Sequence, residues 1–244
     1  MKRTGLTGRL YGMTKSRTTT FAVTALSALI TASALAQGQP QTTPPAAAQG
    51  QGQQQGPRRP TPPPAPAGAD IWTIDTSHTS AHFTVRHMLV STVPGQLGPV
   101  VGWVKYDGKN PQSIAVNVAI DVTNINTQNA GRDRHLRTDD FFNVEQFPDM
   151  TFVSKRVENV QQGSFKLVGD LTIRGVTREV TLDVDGPHGP VQRASNRPPI
   201  VGATATTTIN RKDFGVKYNA LIEAGGAVVS DEVKVTINIE AAKR

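Results

Sequence analysis

Along the second half of the chain, apolar and polar residues alternate with a period of two. Ile114, Val116, Val118, Ile120 and Val122 alternate with Ala115, Asn117, Ala119 and Asp121. Val180, Leu182 and Val184 alternate with Thr181, Asp183 and Asp185, and Val233, Val235, Ile237 and Ile239 with Lys234, Thr236, Asn238 and Glu240. One apolar and one polar face is the pattern of antiparallel strands solvated on one side. Asp107-Gly108, Gln162-Gly163, Arg174-Gly175 and Gly225-Gly226 punctuate these runs as turns. The spacing predicts strands near 71–75, 80–86, 99–106, 113–122, 150–158, 164–173, 176–185, 200–209 and 230–240. It also predicts a short helix over 128–138, a turn near 87–92 and a long proline-rich loop over 186–199. Eight or nine antiparallel strands in one unit of about 175 residues imply an all-β fold, a closed barrel or a sandwich. Closure leaves no exposed sheet edge, and about eight strands enclose just enough room for one small ligand.

The first seventy residues have a different character. Phe21 to Ala36 form an apolar run preceded by Lys15 and Arg17 and ending in Ala34-Leu35-Ala36. These are the three parts of a secretory signal peptide, with cleavage expected near Ala36 and a periplasmic or secreted destination. Sixteen residues containing several Thr and Ser are short for a membrane span, so no spanning segment is expected after cleavage. Met13 would give a more ordinary leader than Met1. Gln37 to Ala69 has 22 of 33 residues as Pro, Gln or Gly and is read as a disordered spacer without chemistry of its own.

Charge changes the picture less than its total implies. The net charge of +7 comes entirely from Lys2, Arg3, Arg9, Lys15, Arg17, Arg58 and Arg59; from Asp70 onward, 19 basic residues balance 19 acidic ones. A folded segment without basic excess argues against nucleic acid as a partner. The chain has no cysteine, which removes disulfides, thiolate metal sites and cysteine nucleophiles.

Four stretches carry more than architecture: Trp72 to Ser80 with Phe83-Thr-Val85-Arg-His87; His135-Leu136-Arg-Thr-Asp139-Asp-Phe141-Phe142 with Phe147-Pro148 and Phe152; Gly169 to Val180; and Asn210 to Val216. In order and spacing they resemble the YceI-like family of periplasmic proteins over about residues 71 to 241. The resemblance implies a lipocalin-like antiparallel β-barrel whose apolar tunnel holds a polyisoprenoid or similar long-chain amphiphile, acting as carrier or reservoir without catalysis or cofactor. The chain departs from the family pattern in its long spacer, in Leu97-Gly98-Pro99 and in the prolines after Gly186.

Candidates for the inward wall are Phe83, Val85, Trp103, Val118, Ile120, Leu136, Phe141, Phe142, Phe147, Phe152, Leu167 and Leu171, joined by His87 and His135. The same apolar set also suits an ordinary filled core, which leaves open a secreted β-barrel interaction module that binds an envelope or protein partner. His78, Arg132 and Arg137 are candidates for a polar head group. No metal site is expected: His78 and His82, four apart on a strand, lie roughly 13 Å from each other, too far to share an ion. Asp75, Ser77 and His78 supply triad residue types but no G-x-S-x-G elbow, so hydrolysis is not expected. The sequence leaves a homodimer open.

Overall fold

A computed structural model describes residues 58–220 and 228–244. The expected signal peptide and most of the spacer lie outside the described residues. Ten strands follow in chain order: β1 (Ile71–Ile74), β2 (Ser80–His87), β3 (Ser91–Leu97), β4 (Val100–Lys105), β5 (Ala115–Asp121), β6 (Asp149–Gln161), β7 (Ser164–Ile173), β8 (Val176–Val191), β9 (Ile200–Asn210) and β10 (Val229–Lys243). A helix, α1 (Ala130–Arg137), lies between β5 and β6.

Register turns these ten strands into eight staves. β1 and β2 lie end to end along β10, with Thr73 opposite Ala242 and Val85 opposite Val233. β3 and β4 lie end to end along β2 and β1, pairing Ala81 with Leu97 and Thr73 with Trp103. The order then runs β4-β5-β6-β7-β8-β9-β10, every neighbour antiparallel, and the β1–β10 pairing closes the barrel. Around the upper part of the wall, β3 meets no full strand. Its outer edge makes a single bridge, Gln96 to Asn126, to the segment that carries α1.

Side-chain parity sets the interior. Val116, Val118 and Ile120 of β5 face Val104, Gly102 and Val100 of β4, and each pair shares the inner face. The same parity turns Leu167, Leu171 and Ile173 inward on β7, and Val233, Val235, Ile237 and Ile239 on β10. Outward positions carry the alternating polar residues, among them Asp183 and Lys234, which are exposed.

Three expectations need correction. Residues 87–92 are only partly a turn, because β3 begins at Ser91 and runs through Pro94. As the outer edge here has no strand partner, the missing N–H of Pro94 leaves no ladder bond unmade. The proline-rich stretch after Gly186 is not all loop, since β8 continues to Val191 through two register shifts against β9. β7 begins opposite Asp185, so Pro187 and Pro190 sit beyond it, where β8 has a strand neighbour on one side only. Trp103, expected inside, points outward because it shares a strand face with Asn117 rather than Val118. Its indole Nε1 donates to the carbonyl of Pro64 at 2.9 Å, and Arg58 forms a two-bond pair with Asp149, so the end of the proline-rich segment lies against the barrel wall.

Candidate functional site

The interior is not filled. An upper chamber of about 280 Å³ and a lower chamber of about 120 Å³ lie inside the barrel, and both count Leu97, Met150, Ile173, Ile209 and Val235 among their walls. These five residues form a waist, and the two chambers read as one long apolar channel. Packed interiors rarely leave voids larger than a water molecule, so an apolar space of this size is itself informative.

The lower chamber is apolar over its whole surface. Val118, Ile120, Phe152, Leu167 and Leu171 line it, together with Phe165, Leu182 and Ile237. Trp72, 1% exposed, anchors that end of the barrel by donating its indole N–H to the Tyr106 carbonyl at 2.8 Å.

The upper chamber is apolar with a few polar groups. Phe83, Val85 and His87 reach it from β2, and Arg132, His135, Leu136, Phe141 and Phe142 from α1 and the loop after it. Local chemistry positions α1. Asn129 caps its start by accepting from the Arg132 amide at 3.0 Å. Buried Asp133 accepts from the amide and hydroxyl of Thr127, tying the helix to the preceding turn. Burial opposes the Asp133 charge, but the Thr127 bonds and the guanidinium groups of Arg137 and Arg132 outweigh it and hold the carboxyl below its usual range.

The cations here are already engaged. Arg132 donates through Nε to the Thr127 hydroxyl at 2.7 Å and through Nη2 to the Thr127 carbonyl at 2.8 Å. His135 pairs through Nε2 with Asp140 at 2.8 Å, and its ring meets Phe141 and Tyr218 edge-on, at 5.1 and 4.9 Å between centroids. Arg211, 5% exposed, donates to the carbonyls of Ser230, Val216 and Tyr218 and to Asp231. Burial pushes its pKa down against the opposing pull of Asp231.

Several sequence candidates lie elsewhere. Arg137 lines neither chamber and instead holds the Thr123 and Ile125 carbonyls at 2.7 and 3.0 Å. The Phe147 ring stands over Gly175, at the turn between β7 and β8. His78 stands at the opposite end of β2 from His87, beside Glu240 near the end of β10. There its Nδ1 lies 2.9 Å from an Asp75 oxygen and 3.7 Å from a Glu240 oxygen. Sequence reasoning left out Met150, Ile173 and Ile209, although strand parity carries that signal. Tyr218 lies in an irregular segment and has no such signal.

The YceI-like domain family matches residues 72–241. The chain belongs to the YceI-like family. Curated relatives include UPF0312 proteins of Staphylococcus aureus: one from strain MSSA476 is 34% identical over 169 residues, spanning 69% of this chain and 95% of the relative. Another, from strain N315, is 35% identical over 170 residues with the same coverage. Among solved structures, the Campylobacter jejuni YCEI protein is 29% identical at a TM-score of 0.56, covering 65% of this chain and 90% of that one. Burkholderia cenocepacia BcnA, 20% identical at a TM-score of 0.58 over 69% of this chain and 99% of that chain, shares the fold. In this YceI-like barrel, both chambers lie within the matched segment.

Proposed function

We propose that this YceI-like chain is an exported carrier or reservoir for an isoprenoid or another long-chain amphiphile. The observation that supports this reading is the unfilled apolar channel running through a closed barrel. The tail would lie through the waist into the lower chamber, against Phe152, Leu167 and Leu171. The polar end would remain in the upper chamber, near His87, Arg132 and His135. Burying hydrocarbon contributes about 0.8 kcal/mol per methylene, so ten buried groups contribute a gross ~8 kcal/mol, near micromolar affinity before ordering costs. Such binding needs few directed contacts, which suits a wall whose Arg132, His135 and Arg211 are bonded to the protein itself. The reading involves no covalent step. Export is supported by the basic, apolar and A-x-A parts of the first 36 residues.

The test is native mass spectrometry of protein purified from its own host, followed by organic extraction and incubation with added polyprenol. A stoichiometric amphiphile is expected. Narrowing the waist with Val235→Phe should abolish loading while leaving the thermal transition in place. Protein that carries no lipid and takes up none would overturn the carrier reading and favour a β-barrel module that binds a partner through its surface.

A further inference from the structure

The hairpin between β2 and β3 ends in three consecutive apolar residues that are exposed among the described residues. Met88, Leu89 and Val90 are 42%, 69% and 82% exposed, and the last two exceed every other large apolar residue among the described residues. Their placement is not a fraying end. Val90 donates its amide to the His87 carbonyl at 3.0 Å, and Met88 donates to Val228 at 2.9 Å. Met88 and Leu89 hold φ of 49° and 61°, values that hairpin turns ordinarily give to Asn and Gly. A turn that would favour small polar residues therefore presents two bulky apolar ones to solvent.

The apex is continuous with the upper chamber. His87 just before it, Val93 just after it, and Val228 bonded to it all line that chamber. Charge around it is suited to a polar–apolar boundary. Arg86 reaches up the hairpin to donate to the Leu89 carbonyl at 3.2 Å, keeping a guanidinium beside the apex. On the other side of the chamber, α1 exposes Arg132 and Arg134, with Asp139 and Asp140 beyond its C-terminal end. Side chains that bury a few apolar groups while basic heads stay at the headgroup level are the chemistry of interfacial membrane contact.

We infer that the Met88-Leu89-Val90 apex inserts into the surface of a lipid bilayer and brings the mouth of the upper chamber against it. This inference rests on the proposed lipid cargo for its purpose, but it is tested without loading any cargo. Leu89→Trp in the full chain gives a probe at the apex itself, so attachment elsewhere on the protein is not mistaken for insertion. With vesicles of phosphatidylethanolamine and phosphatidylglycerol in equal parts, its additional emission should shift to the blue and be quenched by brominated acyl chains. Emission unchanged by vesicles overturns the inference. Val90→Asp placed in the Leu89→Trp background should lower vesicle affinity by about tenfold, with the thermal transition checking that the barrel is intact. Equal affinity with and without Val90→Asp would also overturn it. An apex that instead joins two copies would give a dimer in light scattering that Val90→Asp dissolves, with no quenching by the bilayer. Failure of polyprenol loading with quenching retained would remove the carrier reading and leave the membrane contact standing.

Discussion

His78 and Asp75 show how two half-exposed side chains hold a bend. Where β1 passes into β2, the Asp75 carboxylate accepts from the Ser77 amide at 2.8 Å and pairs with the His78 ring. The hydrogen bond that the His78 ring donates to Asp75, more than any other neighbour, raises the His78 pKa above its ordinary 6.5, and the same bond lowers the Asp75 carboxyl below 3.8. The His78 contribution to stability is therefore complete below about pH 6.5 and is lost as the pH rises through the raised value. The Asp75 contribution is present above about pH 3.8 and is lost as the pH falls through the lowered one. Proton-detected titration should place the His78 midpoint above 6.5, and Asp75→Asn should bring it down towards that value; a midpoint indifferent to the substitution would remove the pairing. Residues of this kind are hard to assign from sequence. His78, Arg132 and Arg137 have the chemistry of head-group ligands, yet only Arg132 reaches the chamber, because hydrogen-bond partners rather than residue type decide where a cation points. Trp103 illustrates the complementary error: a large aromatic in a strand is expected inside, but it alternates with inward Val104 and shares the outer face with Asn117.

At the scale of elements, alternation was a reliable guide and proline a misleading one. The strands of strict period two stand where the pattern puts them, and the helix expected over 128–138 is α1, Ala130–Arg137. Nothing in the alternation marks β3, and the prolines after Gly186 read as a loop where β8 in fact continues to Val191. Glycine carries a sharper message in β4. Gly102 adopts φ of 144°, and a Cβ there would collide with the Asn117 carbonyl oxygen and lie 2.8 Å from the Val118 Cα. Both obstacles belong to the backbone of β5, which cannot turn aside as a side chain could. Gly102→Ala should therefore cost about 2 to 4 kcal/mol in chemical denaturation. A cost below about 0.5 kcal/mol, the range of an indifferent surface change, would mean the two strands separate freely at this point.

For the whole molecule, the sequence pointed to a closed antiparallel barrel, while the unfilled interior was not legible in it. A list of apolar residues is the same whether their side chains meet at the centre or stop short of it; that depends on the width of the ring, which only the register of eight staves fixes. Closure has a further consequence. Trp72 pairs with Lys243, and the Arg244 amide donates to the Ile71 carbonyl at 3.2 Å, so the start of the first strand and the end of the last lie side by side. The order in which the staves are made is thus separable from the way they pack. A circular permutant that joins Arg244 to Ile71 through a short glycine linker and opens at Gln162-Gly163, the exposed turn between β6 and β7, should fold to the same barrel. Matching far-ultraviolet circular dichroism and lipid loading would show that this architecture is a ring with no obligatory starting point. A permutant that cannot fold would show that the native ends carry information for assembly beyond the contacts they make.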